Sequence, residues 1–415
     1  MNSKFFWVGL FFILLFGSPN LYAQNSPNWN KDIKMFEEKI KSLHIKPFHS
    51  ITENEFDQKI SGLRNDAGSL DIKTFNYRLA EIVASIGDMH TRMSMITDYH
   101  FPFKIFLFEE GFYIRAVSSN NKELLGDKII SINGHPIESV FETLKKITSA
   151  DNKIGYWNNT VSYLEIPDLL KFYGIIPDLN QNIPISFEKA GPVKIKPLKD
   201  VTSEENMIHV FQQSENPVPL YLRNLFSKPY QWEYLESEDL FYWQINTIRD
   251  FTADYSFEAM TKDALSRIRE IKPQKLVLDL RWNGGGNDPA YRSSLPKLIS
   301  TLIENDLNRE DRFYTIIGRY TASAAQHLVN DLEYLTNTTF IGEPTKQNVQ
   351  FFSDSRVFEL PTSGLIVAVS TGWLQNYKPY GIEDRTIFYP DIGIPLEFSD
   401  FKNNQDAVLE YIINH

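Results

Sequence analysis

The chain has 415 residues, 42% of them hydrophobic and 14% aromatic, enough to fill the cores of two or three domains. A net charge of -11, a pI near 5.3 and no block of basic residues argue against a nucleic-acid partner, because a phosphate backbone attracts a Lys/Arg-rich face. With no cysteine, a disulfide framework, a thiol nucleophile and cysteine-ligated zinc are excluded.

Lys4, an apolar run from Phe5 to Phe16 and the small residue closing Leu21-Tyr22-Ala23 predict a signal peptide over 1–23, and hence export to a periplasm or beyond. The run is shorter than the ~20 apolar residues that cross a bilayer, and no later segment is predicted to span one. Residues 24–100 read as an N-terminal helical region. Ile33, Phe36, Ile40 and Leu43 recur at helical spacing, as do Phe75, Leu79, Ile82, Val83 and Ile86. The second stripe stops at Gly87-Asp88-Met89-His90-Thr91, where a glycine just past a periodic run ends a helix. From 101 to 190 short apolar runs alternate with turns, predicting a β-rich module, and Asn133-Gly134 marks a tight hairpin inside it. Residues 191–235, with Pro192, Pro197, Pro217, Pro219 and Pro229, read as a connector.

The stretch 236–415 alternates strand and helix. Lys275 to Arg281 is a continuous apolar run of strand length, followed by Asn283-Gly284-Gly285-Gly286-Asn287. Leu295, Leu298, Ile299, Leu302 and Ile303 then form a helical stripe, Phe313 to Ile317 a strand, Leu328, Val329, Leu332 and Leu335 a second stripe, and Thr339 to Ile341 a third strand. This order predicts an α/β layer with a parallel sheet buried on both faces. Ser323 falls where a strand hands over to a helix, at the sheet edge where ligands bind. Locally, Ser323-Ala-Ala-Gln326 fits a capping box. A serine nucleophile would further need a base and oxyanion donors, and the glycine run, lacking a Gly-Lys-Ser/Thr ending, suits backbone N–H donors better than a phosphate.

Three motifs, Asp279-Leu-Arg281-Trp-Asn283-Gly-Gly-Gly286, Thr321-Ala-Ser323-Ala-Ala325 and Ile341-Gly-Glu-Pro-Thr345, stand in the order and spacing of the tail-specific, or C-terminal-processing (S41-type), serine peptidases, which the chain resembles. The resemblance implies a crotonase-like (ClpP/crotonase) parallel-sheet core, Ser323 as nucleophile, and an oxyanion hole from Gly284, Gly285 and the Ala324 N–H. It also likens Leu125 to Gly134 to the family's PDZ-like module, which binds peptide ends by strand addition. In the Ser/Lys branch the lysine lies 25 positions after the serine; here that position is Asn348, and Lys346 is two residues early. Gly87-Asp88-Met89-His90-Thr91 is similar instead to the Gly-Asp-x-His-Thr segment of the branch containing tricorn protease and the interphotoreceptor retinoid-binding repeats. That branch places an acid seven positions before Pro-Asp-Ile, a position held by Glu383 and not by Asp384, although Met89 replaces a further site serine.

The expectation is an exported peptidase with Ser323 as nucleophile, His90 as base and Glu383 orienting the imidazole, acting on peptide or protein substrates without metal or cofactor. His327, one turn after Ser323, and Lys346, in a Ser323/Lys346 dyad, are competing bases. A second class of function stays open, a non-catalytic binding protein for apolar ligands or peptides on the same fold.

Overall fold

A computed structural model describes residues 29–199, 203–252, 255–374 and 385–415. The expected signal segment lies outside them, and among the described residues no helix is long and apolar enough to cross a membrane. The chain is mixed α/β with several sheets, and it divides into two compact units. One contains the described residues from 29 to 210 together with 350–374; the other contains those of 211–349 and 385–415.

In the first unit, helices Asn30–Leu43, Glu53–Asp66 and Ile72–Ala84 turn apolar stripes onto one core. Ile33, Phe36, Ile40, Phe56, Ile60, Leu63, Phe75, Leu79 and Val83 meet there. The middle helix, which the apolar spacing did not single out, opens on a capping box in which the Thr52 side chain accepts from the Glu55 N–H and Glu55 reaches back to Thr52. The far wall of this core is a hairpin, Phe351–Glu359 with Ile366–Leu374, through Leu360, Leu365, Val367 and Val369. Residues 350–374 therefore fall outside the α/β unit, which was expected to run unbroken over 236–415.

A second core in this unit lies between two antiparallel sheets. One joins Phe103–Phe108, Gly111–Val117 and Ile208–His209. The other runs in the order His135–Pro136, Ile129–Ile132, Ile183–Phe187, Gly191–Ile195. Asn133 and Gly134 both take positive φ (49° and 81°), the conformation a two-residue hairpin needs. The boundary expected at 190 cuts the last hairpin in two. Pro192 suggested a connector, yet it sits on the sheet's edge strand, where the missing N–H removes no ladder bond.

The second unit is built on a six-stranded sheet in the order Ile392–Gly393, Thr339–Gly342, Phe313–Ile317, Lys275–Asp279, Leu240–Ile245, Tyr230–Leu235. Its pairs are parallel except the last, so the strand Tyr230–Leu235 also belongs here and not to a connector. Alternation along the strands loads both faces. Leu276 and Leu278 pack with helices Phe257–Ile271, Asp288–Glu304 and Ala324–Leu335, while Val277, Ile316 and Ile341 pack with Val408, Leu409 and Ile412 of helix Ala407–Asn414. Each such fully buried aliphatic side chain contributes about 1.5–3 kcal/mol. Ile303, expected in the apolar stripe, is instead 63% exposed. It lies at the end of its helix, where the stripe has turned off the sheet.

Candidate functional site

The strand Phe313–Ile317 delivers the chain to Gly318, and a tight turn follows. The Thr321 N–H donates to Gly318 O (2.8 Å), while its hydroxyl accepts from the Gly318 N–H (3.0 Å) and donates to Leu280 O (2.9 Å). Ala322 N–H donates to Asn283 O (3.1 Å), so this turn is laced to the loop after the neighbouring strand. Ser323 comes next, with φ 55° and ψ -126°, at the position before helix Ala324–Leu335, and its side chain makes no capping bond. The capping box read locally is not formed, because a capping residue needs an extended backbone, and Gln326 turns its amide to Asn330 Oδ1 (2.9 Å) instead. A positive φ at a non-glycine residue costs of order 1–3 kcal/mol and persists only where the surroundings impose it.

The glycine loop is one source of that constraint. Gly285 has φ 104°, and a Cβ placed there would lie 2.5 Å from Ser323 Cβ, 2.8 Å from Ala322 O and 3.0 Å from the Ala324 nitrogen. Only a glycine lets the loop approach the serine this closely. Its own N–H donates to Asn283 Oδ1 (2.9 Å), and its carbonyl accepts from Ile248 N–H (2.9 Å) and the Thr247 hydroxyl (3.1 Å). Gly284 is partly exposed, and the Ala324 N–H belongs to a first helical turn, whose N–H groups have no intrahelical acceptor.

Beneath the loop, the Asp-x-Arg part of the motif is a buried ion network. Arg281 Nε meets Asp279 Oδ2 at 2.9 Å, and its fork grips Asp406 at 2.9 and 3.0 Å. Burial pushes the Asp279 carboxyl above its ordinary value against the pull of Arg281. Tyr242 donates its hydroxyl to the same carboxylate (2.5 Å), and Asp406 caps the last helix by accepting from Leu409 N–H. These residues anchor the loop and leave the chemistry to others.

Gln347, fully buried, accepts the Ser323 N–H on its Oε1 at 2.6 Å. It was not singled out from the sequence, and nothing in the local pattern marks it. Its segment is pinned by Thr345 N–H to Phe388 O and Val349 N–H to Thr386 O. Gln347→Leu would strip the half-buried Ser323 N–H of its acceptor, so chemical denaturation is expected to show a loss of about 1 kcal/mol. Unchanged stability would mean that the N–H finds another partner.

The two competing bases are both placed. Lys346, buried, holds its Nζ 5.8 Å from the centroid of the Tyr320 ring, which in turn packs tilted against Trp282 with centroids 4.6 Å apart. His327 turns Nδ1 to Asp288 Oδ2 at 2.5 Å.

In the other unit, the helix ends at Ala84, earlier than the apolar stripe suggested, and Gly87 follows with φ 76°, its N–H donating to Ala84 O (3.1 Å). Asp88, fully buried, organises the next residues. Its Oδ1 accepts the His90 N–H (2.8 Å), and its Oδ2 accepts the Thr91 hydroxyl (2.6 Å) and His44 Nε2 (3.3 Å). His44 Nδ1 accepts from Lys46 N–H, which fixes the proton on Nε2, facing Asp88. Burial opposes the charge on Asp88, but the bond from His44 and the nearby His90 hold the carboxyl below its ordinary value. The His90 ring lies parallel to Phe351, with centroids 5.9 Å apart, and its carbonyl accepts from the Ser355 hydroxyl. Glu383 and Asp384 lie outside the described residues. Downstream, Arg385 pairs with Glu333 through both nitrogens, and Asp391 accepts the Phe340 N–H.

No protein-family model and no curated protein matches the chain. Among solved structures, mature CPAF in complex with lactacystin superposes with a TM-score of 0.62 at 10% identity, covering 93% of this chain and 97% of that one. The chain has the CPAF fold. Mature CPAF in a second structure gives a TM-score of 0.61 at 12% identity, over 93% of this chain and 95% of that one. The photosystem II D1 C-terminal processing protease is more distant, at 0.41 and 14% over 92% and 96%. The S41-type family suggested by the three motifs fits the CPAF fold.

Proposed function

We propose that the protein is a serine-type peptidase of the S41 kind that cleaves peptide bonds through an acyl-enzyme. The observation that carries this reading is Ser323 itself, uncapped, at positive φ, with Gly285 packed where any side chain would collide with it. A helix-capping serine would have no use for that strain. In the reaction, Ser323 Oγ attacks a peptide carbonyl as its proton passes to His90, and Glu383 orients the imidazole and stabilises its cation. The oxyanion is held by backbone donors of the Gly284/Gly285 loop and by Ala324. The Gly285 N–H is engaged by Asn283 at rest, so in this reading it turns to the oxyanion only on substrate binding. The amine leaves with the proton from His90, and water releases the acyl group by the same steps in reverse. We extend the reading to a crotonase-like catalytic core, a PDZ-like module built on the two antiparallel sheets that holds a peptide end, and export of the mature chain.

The test is covalent labelling by an aryl phosphonate directed at activated serines. The wild-type protein is expected to gain one phosphonyl group on Ser323, seen by mass spectrometry, and both Ser323→Ala and His90→Ala to lose the labelling. A wild-type protein that stays unlabelled would favour a binding protein on this fold.

A further inference from the structure

Two helices begin at the two halves of the proposed reaction centre. Asp288–Glu304 starts directly after the glycine loop, and Ala324–Leu335 starts directly after Ser323. Leu295 and Leu298 of one and Leu328 and Leu332 of the other share one apolar core, which sets separation but not register. Their upper turns are joined by polar groups. Asp288, the first residue of one helix, meets His327 Nδ1 at 2.5 Å, and one turn further along Tyr291 donates its hydroxyl to Asp331 at 3.0 Å. The spacing is i, i+3 on the first helix and i, i+4 on the second, so both bonds lie along one seam. Only the first is level with the reacting groups. Asp288 is two residues from Gly286, and the His327 N–H donates to Ser323 O at 3.1 Å.

A carboxylate only accepts, so His327 Nδ1 carries the hydrogen and donates it to Asp288. Such a bond is directional, and it can fix the glycine loop against the serine's helix to the fraction of an ångström that oxyanion geometry demands. We infer that His327 and Asp288 are a positioning pair that sets the distance between the oxyanion donors of the glycine loop and Ser323. His327 then acts through the loop and does not take the serine proton. The inference rests on the proposed peptidase reading.

Three variants separate these roles. His327→Leu keeps bulk but loses the donor, and kcat on a cleavable peptide is expected to fall about 100-fold with KM nearly unchanged, the usual penalty for a misplacement near 1 Å. His327→Asn, whose amide nitrogen can stand where Nδ1 stood, is expected to recover to within about fivefold of wild type, since no base is required of it. Asp288→Ala should behave as His327→Leu does, and it serves in its place if the leucine variant does not fold. Hydrogen exchange at the Gly285 and Asn287 amides should quicken in the leucine and alanine variants and stay slow in the asparagine one. The pairing is overturned if His327→Leu retains wild-type kcat and exchange. It is also overturned if His327→Asn loses as much activity as His327→Leu, which would make the imidazole itself the base. Should the wild-type protein resist the phosphonate, the peptidase reading fails, while the exchange measurement still reports on the clamp.

Discussion

Ser323→Ala is expected to lower kcat on a cleavable peptide by about 10⁶-fold while leaving the melting curve almost where it was. Removing the hydroxyl deletes the nucleophile, and the side chain makes no capping bond to its own helix. Ser323→Gly gives the sharper contrast. At φ 55° a glycine sits without the steric cost that a Cβ carries, so this inactive variant is expected to be more stable than the wild type by about 1 kcal/mol. Parallel thermal melts and peptide-cleavage assays read both outcomes. If Ser323→Ala still cleaves at a tenth of the wild-type rate, the serine is not the nucleophile. If Ser323→Gly is the less stable protein, the strain argument is wrong.

The largest effect on stability is expected from Gly286→Ala. Gly286 has φ 147°, and a Cβ there would fall 1.9 Å from Ile248 O, a backbone atom that cannot swing away as a side chain would. The same carbonyl accepts from Asn287 N–H at 2.7 Å, so moving it breaks a bond that fixes the loop. The penalty should exceed about 3 kcal/mol, from backbone strain and a lost bond together. Gly134→Ala is the control. Its φ of 81° is also left-handed, but a Cβ would meet nothing within 4 Å, so only the conformational cost of about 1–2 kcal/mol applies. Urea unfolding of the two variants separates collision from conformation, and equal losses would show that the close approach to Ile248 does not constrain the loop.

What the sequence disclosed follows from what each residue needs. The strands around Lys275–Asp279 and Phe313–Ile317 were legible because a strand buried on both faces is a continuous apolar run. The glycine loop was legible because three glycines in a row after such a strand have few other uses. Gln347 was not, because a glutamine amid polar residues reaches Ser323 only through the path of the chain between them. Asp288 was hidden for the same reason, although His327 had been noticed. The conformation of Ser323 ran against the local pattern, in which a serine three residues before a glutamine reads as a cap. The hairpin over 351–374 was not singled out, and nothing in its residues says which core the inward ones join.

The place of this hairpin in the chain bears on how the protein is made. The three helices that open the described chain cannot complete their core until Leu360, Leu365, Val367 and Val369 have been synthesised, long after the helices themselves. By then most of the six-stranded sheet has already emerged. The earlier unit in sequence therefore cannot mature before most of the later one has been made, and a polypeptide cut short before this hairpin carries an exposed apolar helix face for quality-control proteases to find.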